Sequence, residues 1–116
     1  MAATFERIER VNNDNVFSTM DENLSAPGAT EPVRLNRGDV VVQLAGTGTV
    51  TAVIERATRD PNSDPNWAPA DTGEVTGDLA DGLPVMLFSE PTLGWWRVRV
   101  TACSGTVQVH ISGESA

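Results

Sequence analysis

The chain contains no lysine: all eight of its basic residues are arginine, against sixteen acidic residues, for a formal net charge of −8. Affinity for a phosphate backbone comes mainly from basic side chains that displace counterions, so this balance argues against a nucleic-acid partner. Cysteine is limited to Cys103, which excludes an internal disulfide and leaves packing, a bound ion or assembly with other chains to supply stability. Cys103 closes an apolar run, a setting that suits a small buried side chain better than a reactive thiol. No apolar run approaches the roughly 20 residues needed to cross a bilayer. The opening Met1-Ala2-Ala3-Thr4-Phe5-Glu6-Arg7 lacks the basic start and apolar stretch of a signal peptide. Neither membrane anchoring nor export by the standard route is therefore expected.

What the chain does have is a ladder of short β-branched runs. At 116 residues, 40% of them apolar, it is long enough for one core and too short for two independent ones. From residue 38 to residue 112 strands alternate with Gly-rich turns. Asp39 to Leu44 and Thr49 to Arg56 flank Gly46-Thr47-Gly48; Gly94 to Cys103 and Thr106 to Ile111 flank Ser104-Gly105. Both links predict hairpins, the second of type I′ or II′, because glycine reaches positive φ without steric penalty. Leu83 to Phe88, with Pro84 inside it, predicts an edge strand. The Asp- and Gly-rich stretch from Asp71 to Gly82 predicts a loop, with at most a short strand at Glu74-Val75-Thr76. Turns every eight to twelve residues describe an all-β protein, an antiparallel β-sandwich or a small barrel.

The first 32 residues differ in character. Phe5 to Val11 fits one or two turns of helix or an extended strand, and the polar stretch after Phe17 has too little apolar surface to offset its own ordering entropy. The expected organisation is an extended N-terminal arm over residues 1–32 and a β-sandwich domain over residues 33–116, the arm ordering against neighbouring subunits. Phe5, Ile8, Val11, Val16 and Phe17 are its candidate anchors.

Period-two alternation assigns faces in the tryptophan strand. Trp96, Val98, Val100 and Ala102 fall on the core side, and Trp95, Arg97, Arg99 and Thr101 on the other. An aromatic beside two arginines is a composition enriched at protein interfaces; the alternative is that Trp95 covers the rim of the sandwich with Arg97 stacked on it.

Chemistry is harder to find. Asp60, Asn62 and Asp64 place oxygen side chains at alternate positions with Asp71 where a twelfth calcium ligand would fall, but Pro65 stands where such a loop needs glycine. Consecutive Asx and Pro turns explain the same residues without an ion. His110 lies on the face opposite the core with no nearby Cys, Ser or second His in sequence, so a solvated or interface histidine is expected rather than a general base. Gly46-Thr47-Gly48 lacks the following lysine and helix of a phosphate loop. An enzyme is not expected.

The series from Gly46 to Thr58, with Asp60, Trp67-Ala68-Pro69, Glu90-Pro91, Gly94 to Thr101 and Ser104 to Val109, resembles small virion structural proteins of tailed bacteriophages. The likeness runs over residues 38–111. It departs at the turn, where Asn62-Ser63-Asp64-Pro65-Asn66 replaces a shorter link. The resemblance implies a β-sandwich module of a phage particle, located in the virion after assembly in the host cytoplasm, with no cofactor and no active site. A head decoration (cement) protein is the leading reading, with the major capsid protein and further copies of itself as partners and Trp95, Arg97 and Arg99 at the contact. A tail- or fibre-associated module binding host surface glycan is the alternative.

Overall fold

The computed structural model describes residues 3–9, 16–83 and 85–115. Among the described residues nine strands form one continuous antiparallel ladder: β1 Thr4–Glu9, β2 Val16–Leu24, β3 Gly28–Ala29, β4 Val33–Gly46, β5 Thr49–Ala57, β6 Ala68–Asp78, β7 Met86–Glu90, β8 Gly94–Cys103 and β9 Val107–Ser115. Their order is β1-β2-β9-β4-β8-β5-β6, with β3 added to β8 and β7 to β4. The ladder folds into two facing layers because β4 serves both. Val33 to Leu35 pair with β8, the register then shifts, and Val40 to Gly46 pair with β9. One layer is β1-β2-β9-β4-β7; the other is the start of β4 with β3, then β8, β5 and β6.

Between the layers lies a core of alternate residues. Val40, Val42 and Leu44 of β4 with Val107, Val109 and Ile111 of β9 face Trp96, Val98 and Val100 of β8 with Val50, Ala52 and Ile54 of β5. The rings of Phe88 and Trp96 meet across the gap, 5.4 Å between centroids. A short 3-10 turn, Leu79–Asp81, drops Leu79 into one end of this core. It is fixed by Leu79 N–H donating to the Gly48 carbonyl at 2.8 Å and by Asp78 Oδ1 accepting from Ala80 N–H at 2.9 Å.

Both predicted hairpins prove to be something else. β4 does not pair with β5, and β8 does not pair with β9; each glycine-containing link carries the chain from one layer to the other. The two crossings lie side by side. Thr47 N–H donates to the Thr106 carbonyl at 3.0 Å, and Ser104 N–H to the Thr49 carbonyl at 3.1 Å. Gly105 is not at positive φ. It is needed for close approach, since a Cβ there would collide with the Thr47 carbonyl oxygen.

The boundary expected at Pro32 also disappears. Residues 16–24 are extended, but β2 is an interior strand, paired with β1 on one side and β9 on the other. Met20 is fully buried, and Glu22, 8% exposed, accepts the Glu31 N–H at 2.9 Å. The segment is therefore held by its own molecule: β9 supplies the hydrogen bonds and the sandwich supplies the apolar cover. Phe5 to Val11 resolves toward strand rather than helix over its described part, as β1.

Two smaller differences have simple causes. Residues 71–78, expected as loop with at most a short strand at 74–76, belong to β6, Ala68–Asp78, an eleven-residue edge strand whose exposure erases the usual alternation. Ala102 is exposed, because a register shift against Thr51 and Ala52 turns the end of β8 over. The edge position expected for the run before Phe88 holds: among the described residues β7 pairs with β4 alone.

Candidate functional site

The outer face of β8 gathers the aromatic and basic groups of the sandwich. Trp95, Arg97 and Arg99 alternate outward with Trp96, Val98 and Val100 inward. Neighbouring strands add to the same face by register: Arg34 of β4 stands opposite Trp95, and Glu55 of β5 opposite Arg97. The Arg34 guanidinium carbon lies 5.7 Å from the Trp95 ring centroid, and that of Arg97 lies 4.3 Å over Trp67. Both distances fall in the range where a ring face attracts a cation.

Glu55 organises the row. Its side chain is 7% exposed, and its two oxygens accept from different arginines, Oε1 from Arg97 Nε at 2.8 Å and Oε2 from Arg99 Nε at 3.2 Å. Arginines two apart on one strand project to the same side, so one carboxylate on the adjacent strand reaches both. With Glu74 of β6 opposite Val53, which is itself opposite Arg99, three arginines meet two carboxylates, so this face carries a small excess of positive charge on a chain that is acidic overall. Replacing Glu55 with alanine is expected to cost about 1–3 kcal/mol, below a fully buried pair because Arg99 is 42% exposed. Urea unfolding of Glu55→Ala beside the parent measures it.

The arm candidates divide between two faces. Phe5, 49% exposed, pairs with Met20 on the inner side of β1; Ile8, 47% exposed, pairs with Phe17 on the outer side. Val16 is half-buried and sits opposite Glu9, while Val11 lies outside the described residues. These side chains do not form one patch.

His110 acquires a partner from far along the chain. β2 and β9 lie side by side with Asp21 opposite His110, and His110 Nδ1 donates to Asp21 Oδ1 at 2.7 Å. With Asn23, Gln43 and Gln108 they line a shallow polar depression of about 340 Å³ on the outer face of the β9 layer. Nothing in the sequence near His110 signals this, because Asp21 belongs to a segment that reads as polar coil.

The calcium-loop candidates are engaged within their own loop. Asp60 Oδ1 accepts the Asn62 N–H at 2.9 Å, and Asp64 Oδ2 pairs with Arg59 Nε at 2.7 Å. Asn66 accepts from the Thr58 and Arg59 N–H groups, and Asp71 lies apart on β6. The geometry is that of consecutive Asx turns. Among the described residues no group of three or more His, Cys, Asp or Glu side chains is placed to hold a metal ion. Cys103 is half-buried and packs against the core.

No protein-family model and no curated protein matches the chain. Among solved structures it is similar to a cupin domain from Bordetella pertussis Tohama I, at 16% identity and a TM-score of 0.46, over 99% of this chain and 95% of that one.

Proposed function

We propose that this chain is a non-enzymatic structural protein of a tailed-phage particle, a decoration protein that seats on the head in multiple copies. The observation that carries the reading is the arginine- and tryptophan-bearing face of β8, with Trp95, Arg97 and Arg99 joined by Arg34 and Trp67. Half-buried aromatics and arginines held on a rigid sheet lose little conformational freedom on docking, which is why such groups dominate interface energetics. The resemblance to small virion proteins supports the same reading, with the major capsid protein as the surface contacted. The attachment role expected of residues 1–32 passes to this face, since β2 is committed to the protein's own sheet.

The test is co-sedimentation of the purified chain with heads of the encoding phage that lack it. The double variant Trp95→Ala/Arg99→Ser, outside the core, is expected to bind about thirtyfold more weakly or worse. Binding equal to the parent's would sink the reading. The glycan-binding alternative draws on the polar depression around Asp21 and His110, whose amides and carboxylate suit sugar hydroxyls. Binding to host surface polysaccharide that is lost in Gln108→Ala and kept in the β8 variant would select it instead.

A further inference from the structure

Arginine is scarce enough in this chain for its pairing to be informative. Arg56, Arg59, Arg97 and Arg99 each have a carboxylate oxygen 2.7–3.2 Å from Nε. Among the described residues Arg7, Arg34 and Arg37 have none, although acidic side chains outnumber basic ones. Two of these three meet in one place. Arg7 and Arg34 line the same cleft, an open space of about 330 Å³ bounded by β1, β2 and the start of β4. The Arg34 guanidinium also faces the Trp95 ring, a contact that leaves its charge uncancelled.

The other lining groups define what those cations can hold. Phe5 lies on the inner side of β1, opposite the fully buried Met20, yet is 49% exposed. Covering that half-open ring with an apolar group is favourable, and Val33 adds to the apolar lining. The Ser18 hydroxyl is engaged with Ser115 Oγ at 2.9 Å, which leaves the guanidiniums as the strong donors of the cleft. Glu6 reaches the rim from the neighbouring position of β1, and its carboxylate disfavours a second negative charge on the ligand. The net charge of −8 acts in the same direction.

We infer that this cleft binds a small monocarboxylic acid with an apolar body, the carboxylate held by Arg7 and Arg34 and the body covering Phe5. The planar fork of a guanidinium matches the two oxygens of a carboxylate, which favours this anion over a neutral polar group. The volume stands at the small end of the about 300–1,000 Å³ spanned by ligand pockets, so an acid with a single ring fills it. Such binding concerns the free chain and is independent of attachment to a particle.

Titration of the isotopically labelled full chain with phenylacetate at low salt, followed by amide NMR shifts, tests it. Saturable shifts are expected at residues 5–7, 18–19 and 33–34, with a Kd of about 1 mM or tighter. Phenylacetamide, the same body without the charge, and acetate, the charge without the ring, are each expected to bind about tenfold more weakly. Arg7→Gln, at an exposed position, is expected to weaken phenylacetate about fivefold or more. Arg37→Gln, which removes an arginine outside the cleft, is expected to stay within about twofold of the parent. The same spectra report whether each variant is folded; should Arg7→Gln fail to fold, Arg34→Gln is expected to show the same loss. Shifts that do not saturate below about 20 mM, an amide that binds as well as the acid, an Arg7→Gln chain that binds like the parent, or an equal loss in Arg37→Gln would each overturn the proposal. None of these results bears on co-sedimentation with heads, so the two readings fail separately.

Discussion

Trp96→Ala is expected to lower stability by about 3–5 kcal/mol, the range for removing a large aromatic from a packed core. Trp96 is 1% exposed at the middle of the sandwich, with the Phe88 ring against it and Val33 opposite on β4. The strands around it are fixed by ladder hydrogen bonds on both sides, so the space left behind cannot close by a shift of one element. Domains of this size have only about 5–15 kcal/mol in total. The variant is therefore expected to unfold with a urea midpoint roughly 2 M below the parent's and an unchanged slope. Trp95→Ala, one residue away on the outer face, provides the contrast: it removes the stack with Arg34 and leaves the core intact, so its midpoint should stay close to the parent's. A Trp96→Ala loss under about 1 kcal/mol would mean that the core is looser than its burial implies.

Gly46→Ala carries the second large effect, and its cause is backbone rather than core. Gly46 sits at φ 118° where β4 leaves its layer, and a Cβ there would collide with the Thr106 carbonyl oxygen of the neighbouring crossing. The obstacle is main chain on both sides, so no side-chain rotation relieves it. A positive-φ penalty of about 1–3 kcal/mol and an overpacking cost of similar size give an expected loss of about 2–5 kcal/mol. For a domain of this length that corresponds to a melting temperature lower by about 10 °C or more. Gly82, also at positive φ with open space around its missing Cβ, separates the two contributions: Gly82→Ala meets the conformational penalty alone and is expected to melt several degrees above Gly46→Ala.

The same turn shows where the sequence was legible and where it was not. The alternation in β8 reads directly as core and surface, and the all-β sandwich follows from it. The destination of each strand does not, because a glycine link between two β-branched runs serves a hairpin and a layer-to-layer crossing equally well. Choosing between them requires knowing that β9 is already occupied by β2 and β4, and those pairings join residues far apart in the chain, such as Asp21 and His110 or Gln43 and His110. The segment 16–24 read as a partner-dependent arm because its inward positions are Ser18, Met20, Glu22 and Leu24, with two polar groups among four. Glu22 is satisfied inside by the Glu31 N–H, a contact that no periodicity reveals. In the candidate site, Trp95, Arg97 and Arg99 were visible as one strand face. Glu55, Arg34 and Trp67, which complete it, come from three other segments and join only through register and packing.

The position of β9 in the ladder has a consequence for how the molecule is made. It lies between β2 and β4 and carries Val107, Val109 and Ile111 into the centre of the fold. Until residues 107–115 take that place, the β2 backbone lacks one of its neighbours and the interior stays open to solvent. Closure therefore waits for contacts between residues more than eighty positions apart, the kind that form slowly. Refolding should accordingly pass through a phase in which unpaired strand edges and apolar surface favour aggregation, ending when β9 docks.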